Sequence, residues 1–311
     1  MFKAIFTRIG AIVLIVLALF GAGAALSQTN IPGPTLGGKQ VWSDVHALGA
    51  WRLQRNVLTG HHRLLDGDNW RQAWGTYDEC LAALRDAKKT KGAAFQSTHL
   101  VILVHGLGRS AGMFDTLKQT LRAAGFETFA INYPSTRQGV AAHADDLARL
   151  IENLEGVKEV SFVTHSMGAL VVRELLDHAS MQETNIVFRR LVMIAPPNRG
   201  SAIARLLKDN KVYGWLTTET GRDLTPGKAK TFAVPNIDFA IIAGGRGDGV
   251  GFNPILEGDD DGVVTVRETR LQDSKDFLVI ASPHGLIDNH PLTQSQVLSF
   301  LKSGRFIHAP Q

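Results

Sequence analysis

The hydrophobic pattern of the chain alternates between short, continuous apolar runs and longer segments with apolar residues three and four positions apart. Runs of the first kind are typical of buried strands in parallel sheets, and segments of the second kind are typical of amphipathic helices. The predicted strands are His99–Val104, Phe126–Asn132, Glu159–Thr164, Phe188–Ala195, Ile237–Ala243 and Phe277–Ser282. The predicted helices are Gly112–Ala124, Val140–Leu154, Gly168–Ala179 and His290–Ser303. This order predicts an α/β fold, with a mostly parallel sheet covered by helices on both faces.

A different pattern precedes the first buried strand. In Ala50–Leu65, polar and apolar residues mix on both sides of Thr59-Gly60, which predicts an antiparallel hairpin at the edge of the sheet. Residues Trp70–Ala87 are predicted to be helical. We therefore expect residues 40–95 to be an N-terminal extension of one domain that spans residues 40–311.

The first 27 residues have the pattern of a targeting segment. Lys3 and Arg8 are followed by apolar and small residues as far as Leu26. This stretch suits the core of a signal peptide, and it is also long enough for a marginal membrane span. A cleaved signal peptide and an uncleaved anchor with its positive end inside both remain open, and both place the body outside the cytoplasm, either secreted or periplasmic, or anchored to a membrane. Residues 28–39, rich in Pro and Gly, are predicted to be a linker.

Composition narrows the classes of function. The 311 residues are 44% hydrophobic and 20% charged, which is typical of a globular protein and excludes a disordered or multi-span membrane protein. The single cysteine, Cys80, excludes an internal disulfide framework and a Cys-rich metal site. The net charge is +4, but the basic residues are scattered, so no nucleic-acid partner is expected. The chain has no phosphate-loop, dinucleotide or zinc-protease motif, so no metal or nucleotide cofactor is implied.

One candidate nucleophile lies between a predicted strand and a predicted helix, in Thr164-His165-Ser166-Met167-Gly168. A sharp turn there would raise the serine Oγ above the end of the sheet, where a helix N-terminus stabilises negative charge. In this context the segment resembles the Gly-x-Ser-x-Gly nucleophile elbow of the α/β-hydrolase superfamily, with Thr164 in place of the first Gly. The resemblance implies that Ser166 is a catalytic nucleophile. The alternative is a serine that only caps a helix.

A second motif, His105-Gly106-Leu107-Gly108, follows the first buried strand directly. It resembles the loop that supplies half of the oxyanion hole in the same superfamily. By that resemblance, the backbone N–H groups of Leu107 and Met167 are the two oxyanion donors. His105 and Gly106 are expected to brace the loop rather than take part in the chemistry. The alternative is a Gly-rich turn with no catalytic part.

A serine nucleophile needs a histidine to accept its proton and an acid to orient that histidine. His284 follows the last predicted strand through Pro283, at the sheet edge where sites form in open α/β sheets, and it is the candidate base. His290 precedes Pro291 and fits a helix start better. The stretch Asp-Gly-Val-Val from position 261 resembles the acid loop of bacterial lipases, which implies Asp261 as the acid, with Asp260 as the alternative.

A further segment resembles bacterial triacylglycerol lipases. Ile194–Ser201 (IAPPNRGS) is similar to their Thr-Pro-x-x-Gly-Ser segment, which leads from a strand into the cap. The resemblance implies a small helical cap over residues 198–236, a candidate lid on an acyl pocket. Its apolar residues are Ile203, Leu206, Leu207, Val212, Tyr213, Trp215 and Leu216. An ordinary pair of core-facing helices is the alternative.

Together these resemblances predict an α/β-hydrolase fold and a serine hydrolase, similar to bacterial lipases and esterases. Its expected reaction is hydrolysis of carboxylic esters, of acyl or lipid type, through an acyl-enzyme. Its expected partners are a small-molecule or lipid ester and, through the N-terminal segment, a membrane. An acyltransferase or thioesterase with the same triad, and a non-catalytic binding protein on a hydrolase scaffold, are the alternatives.

Overall fold

The computed structural model describes residues 33–34, 40–207 and 219–308. The predicted targeting segment, residues 1–27, lies outside the described residues, as does most of the predicted linker. The exception is strand β1, Gly33–Pro34, which pairs antiparallel with Arg71 and Trp70. None of the helices in the described ranges combines the length and the apolar character that crossing a bilayer requires.

An antiparallel sheet is built from the first part of the described chain, in the order β1-β5-β4-β3-β2. Its further strands are β2 (Trp42–Leu48), β3 (Trp51–Asn56), β4 (His62–Leu65) and β5 (Trp70–Gly75). The predicted hairpin around Thr59-Gly60 is present as β3 and β4. The hairpin therefore belongs to a sheet of its own, with strands on both sides of it.

The predicted helix over Trp70–Ala87 is wrong in its first part. Trp70–Gly75 pairs with β4 as strand β5, and helix α1 spans Tyr77–Lys91. The helix begins there because the Thr76 side chain accepts from the Glu79 backbone N–H, while the Glu79 carboxylate accepts from the Thr76 N–H. This reciprocal capping box fixes the first helical turn.

The main sheet is parallel, in the order β11-β10-β9-β8-β6-β7. Its strands in the described chain are β6 (His99–Val104), β7 (Glu127–Ala130), β8 (Glu159–His165), β9 (Val187–Ile194), β10 (Asp238–Gly245) and β11 (Asp276–Ala281). All neighbouring pairs are parallel, so every strand ends at the same edge. The predicted α/β fold is confirmed.

Helices cover both faces of the parallel sheet. They are α2 (Asp115–Ala123), α3 (Val140–Glu152), α4 (Gly168–Asp177), α5 (Ala179–Gln182), α6 (Ala202–Leu207), α7 (Pro226–Ala229), α8 (Val266–Thr269) and α9 (Pro291–Ser303). Leu100 and Ile102 of β6 point into the core shared with α3 and α4. Val101 and Leu103 point into the core shared with α2 and α9. This alternation explains why β6 is apolar on both of its faces.

The antiparallel sheet lies beside the free edge of β7. The Asp44 N–H donates to the Asn132 carbonyl at 2.9 Å, and the Asp44 carboxylate accepts from the Asn132 N–H at 2.7 Å. This contact places the predicted hairpin sheet at the expected edge of the main sheet.

The candidate lid, residues 198–236, is described at its two ends. Ala204, Leu224, Ala229 and Phe232 are buried in the core that contains α4. Val212, Tyr213, Trp215 and Leu216 lie outside the described residues, and the lid function stays a prediction.

Candidate active site

The turn from β8 into α4 holds Ser166 in a strained conformation. Its φ is +54°, in the left-handed region that a residue with a side chain rarely adopts. The turn is anchored by the Ser166 N–H, which donates to the Ile194 carbonyl at 2.9 Å. At Gly168 a Cβ atom would lie 2.3 Å from the Val104 carbonyl oxygen, so glycine allows α4 to approach β6. Ser166 is thereby held at the carboxyl edge of the sheet.

The His284 ring lies between Ser166 and Asp261. Its Nε2 is 3.0 Å from the Ser166 Oγ, and its Nδ1 is 2.7 Å from the Asp261 Oδ2. Because a carboxylate only accepts, Nδ1 carries the proton, and Nε2 is left to accept from the serine hydroxyl. His290 lies at the start of α9, where its ring accepts from the Leu292 N–H at 3.2 Å.

The Asp261 carboxylate is itself fixed by its loop. Its Oδ1 accepts from the backbone N–H groups of Val263 and Val264 at 3.0 and 2.8 Å, which leaves Oδ2 for His284. Asp260, the alternative from the sequence, faces away and accepts from two backbone N–H groups of its own loop at 3.0 and 2.6 Å. Of the two candidate acids, Asp261 therefore lies against the histidine.

The loop after β6 passes directly over the serine. At Gly106 a Cβ atom would lie 2.9 Å from the Ser166 Cβ, so a side chain there would displace the loop. The His105 Nδ1–H donates to the Gly106 carbonyl at 2.9 Å, and its ring stacks on Tyr133 with centroids 4.1 Å apart. The Tyr133 hydroxyl donates to the His105 carbonyl. Burial lowers the pKa of His105 to about 3, so its ring is neutral.

Leu107 and Met167 flank the serine on these two segments. Leu107 follows Gly106 in the loop, and Met167 follows Ser166 at the start of α4. Within the described part of the chain, neither of their backbone N–H groups donates a hydrogen bond. Both donors are therefore available to an acceptor that forms beside the Ser166 Oγ.

Two residues that sequence reasoning did not select hold the segment of His284. The buried His165 donates from Nε2 to the His284 carbonyl at 2.9 Å, and the two rings lie 4.8 Å apart. Burial, followed by the nearby His284, lowers the pKa of His165 well below its usual value, so it is neutral. Arg109 donates to the Gly285 carbonyl at 2.9 Å. Both donors act on backbone carbonyls, which carry no signal in the sequence.

Part of the chain matches a known protein family. Residues 67–239, more than half of the chain, match the model of a family described as a domain of unknown function, DUF7379. No curated protein sequence matches the chain.

Solved structures show similarity in fold. The Bacillus licheniformis lipase BlEst2 in mature form is 21% identical with a TM-score of 0.54, over 66% of this chain and 91% of that one. Its propeptide form is 20% identical with a TM-score of 0.53, over 68% and 52% of the two chains. The metagenomic carboxyl esterase MGS0156 is 17% identical with a TM-score of 0.50, over 62% and 66%. At these identities the likeness shows the fold, which is the α/β-hydrolase fold of bacterial lipases and esterases.

Proposed function

This chain belongs to the DUF7379 family, whose function is unknown, and we propose that it is a serine hydrolase that cleaves carboxylic esters through an acyl-enzyme. One observation carries the proposal. A continuous hydrogen-bonded chain runs from the Asp261 carboxylate through both nitrogens of His284 to the Ser166 hydroxyl, at 2.7 and 3.0 Å. A strained serine, a histidine in a fixed tautomer and a buried carboxylate together form an activated nucleophile.

The first half of the reaction forms a bond from the serine to the substrate. The Ser166 Oγ attacks the ester carbonyl carbon while its proton passes to the His284 Nε2. Asp261 stabilises the resulting imidazolium through the Nδ1–H. When the tetrahedral intermediate collapses, the bond to the alcohol breaks and the alcohol leaves with the proton from Nε2. In the second half, water attacks the acyl group by the same steps and releases the acid.

The oxyanion of both tetrahedral intermediates needs donors that are already in place. The N–H groups of Leu107 and Met167 supply them in this proposal. Each donor of this kind is worth about 3–4 kcal/mol of transition-state stabilisation. Gly106 lets the first donor approach the serine, and His105 holds the loop in that position.

The proposed substrates are acyl esters. BlEst2 is named a lipase and MGS0156 a carboxyl esterase, which favours this class by analogy of fold. Apolar side chains beside the proposed acid and base also favour acyl esters. Val263 is 37% exposed and Leu286 is 62% exposed, so both can contact an apolar acyl chain.

The test is hydrolysis of p-nitrophenyl esters of increasing acyl length by the wild type, Ser166→Ala and Ser295→Ala. Ser295 is an exposed serine on α9 and serves as the matched control. We expect turnover that falls by at least about a thousandfold in Ser166→Ala and is unchanged in the control. A fluorophosphonate probe should label the wild type and not Ser166→Ala. Equal labelling of both proteins, or no turnover on any ester by folded wild type, contradicts the proposal.

A further inference from the structure

A cavity of about 540 Å³ lies between the antiparallel sheet and the edge of β7. This volume is within the range of small-molecule sites, roughly 300–1,000 Å³. The lining comes from both sheets and from α2, and it contains none of Ser166, Asp261 and His284. The cavity is therefore separate from the proposed active site.

The charges that line the cavity are mainly positive. They are Arg52, Arg63, Lys118 and Arg122, against the carboxylates of Asp115 and Glu127. Two of the cations are already paired. Arg52 donates to the buried Asp44 carboxylate at 2.8 Å, and Lys118 lies 2.7 Å from Asp115. The other two cations, Arg63 and Arg122, have no ion pair with a carboxylate of the described residues.

Arg63 is a buried cation that no carboxylate of the described residues contacts directly. It is 8% exposed, and no carboxylate of the described residues lies within 4.0 Å of it. Its Nε donates to the Gln54 side chain at 2.8 Å, and its guanidinium lies over the Trp42 ring at 4.1 Å. Its two Nη groups donate no hydrogen bond to any described residue. Burial lowers its pKa to about 10, which leaves it charged at neutral pH.

Arg122 reaches the cavity from the opposite side. Its Nε donates to the Thr128 hydroxyl at 2.9 Å, and its Nη2 donates to the Thr128 carbonyl at 3.3 Å. Within the described ranges it too has no carboxylate partner. Each guanidinium is therefore held directly by neutral groups. The Asp44 carboxylate acts on Arg63 only at longer range, because Gln54 lies between the two side chains.

We propose that this cavity binds a phosphate group, either as free inorganic phosphate or as a phosphate monoester such as the headgroup of a lipid whose phosphate carries no further alcohol. Guanidinium groups match phosphate oxygens with paired N–H donors, and their geometry is already fixed by Gln54, Trp42 and Thr128. A carboxylate, with two oxygens, can be satisfied by one guanidinium, whereas phosphate has further oxygens that can accept from other donors of the cavity lining. The bound anion would neutralise the buried Arg63 charge.

The experiment is calorimetric titration of the full chain with inorganic phosphate, glycerol 3-phosphate and acetate. We expect saturable binding of the phosphate compounds and none of acetate. The better of the two phosphate ligands identifies the source, because only glycerol 3-phosphate carries the glycerol ester of a lipid phosphate monoester. Affinity should fall by at least about tenfold in Arg63→Gln and in Arg122→Gln, and stay unchanged in Arg305→Gln, an exposed arginine near the C-terminus.

Two results would overturn the proposal. One is the absence of saturable phosphate binding by the folded wild type. The other is acetate binding as strong as phosphate binding, which indicates an unselective anion site. Arg122 is exposed, so its variant tests the proposal even if Arg63→Gln fails to fold. Ser166→Ala should bind phosphate like the wild type, and the result is therefore independent of the ester-hydrolase proposal.

Discussion

His165 holds the proposed base by a single backbone contact. It lies next to the serine, and its Nε2–H donates to the His284 carbonyl at 2.9 Å. In His165→Phe an aromatic ring, slightly larger than imidazole, is kept and this hydrogen bond is lost. A hydrogen bond of about 1–1.5 kcal/mol corresponds to a decrease of about tenfold, which we expect in kcat while KM for a short ester changes little. Steady-state kinetics of ester hydrolysis measure the two constants separately.

His165→Gln is the matched rescue variant, because its side-chain amide can donate to the same carbonyl. We expect it to recover part of kcat. A role in packing alone would change the midpoint of urea unfolding and leave kcat unaltered. If kcat of the folded Phe variant equals that of the wild type, His165 does not position the base.

The residues of the site differ in how far the sequence could select them. Ser166 lies in a motif between a defined strand and a defined helix, and His284 follows the mostly apolar strand β11. The choice between Asp260 and Asp261 depended on a family resemblance, because adjacent carboxylates look alike in sequence. His165 and Arg109 could not be selected at all, since each contacts a backbone carbonyl that only the fold brings near.

At the scale of elements, helix α4 is tied to the candidate lid by one buried arginine. Arg173 donates to the carbonyls of Ala233 and Asn198 at 2.9 and 3.2 Å, and also to the carbonyl of Phe232. Burial lowers its pKa to about 10. Arg173→Lys would keep the charge and leave some of these carbonyls without a donor. We expect the free energy of unfolding to fall by about 2–4 kcal/mol in urea titrations.

Arg149→Lys is the control for this prediction. Arg149 is exposed on α3 and forms a surface ion pair with Asp146 at 3.0 Å, so its replacement should cost less than about 1 kcal/mol. Equal losses in the two variants would contradict a special role for the Arg173 contacts.

Helices and strands were predictable from the sequence where the hydrophobic pattern alone determines the secondary structure. Strands β6 and β10 of the parallel sheet are buried on both faces, so each contains a continuous apolar run. Trp70–Gly75 has no such run, because the exposed Trp70 and the half-buried Arg71 and Gln72 leave only Ala73 fully buried in the strand. Its strand character comes from pairing with β4, which is a tertiary contact. The Thr76/Glu79 capping box was the local signal that could have moved the predicted helix start.

At the scale of the whole molecule, buried histidines make stability depend on pH, His46 among them, whose pKa burial also lowers. Burial lowers the pKa of His105 to about 3 and that of His143 to about 4, and it lowers the pKa of His165 well below 6.5. In the unfolded chain each histidine titrates near its usual value of about 6.5. As pH falls below that value, the unfolded state binds protons that the folded state does not, so the folded state loses stability.

The expected loss between pH 7 and pH 5 is about 2 kcal/mol for His105 and for His143, and His165 acts in the same direction. It should appear as a falling midpoint of urea unfolding across a range in which most carboxylates stay ionised. In His143→Phe the loss of unfolding free energy between pH 7 and pH 5 should be smaller by the contribution of one histidine. The reason is that one proton fewer is taken up on unfolding. His61→Gln, at an exposed position, should leave the dependence unaltered. A midpoint that stays constant from pH 7 to pH 5 would mean that the folded protein accommodates charged histidines, contrary to their burial beside the proposed oxyanion loop and base.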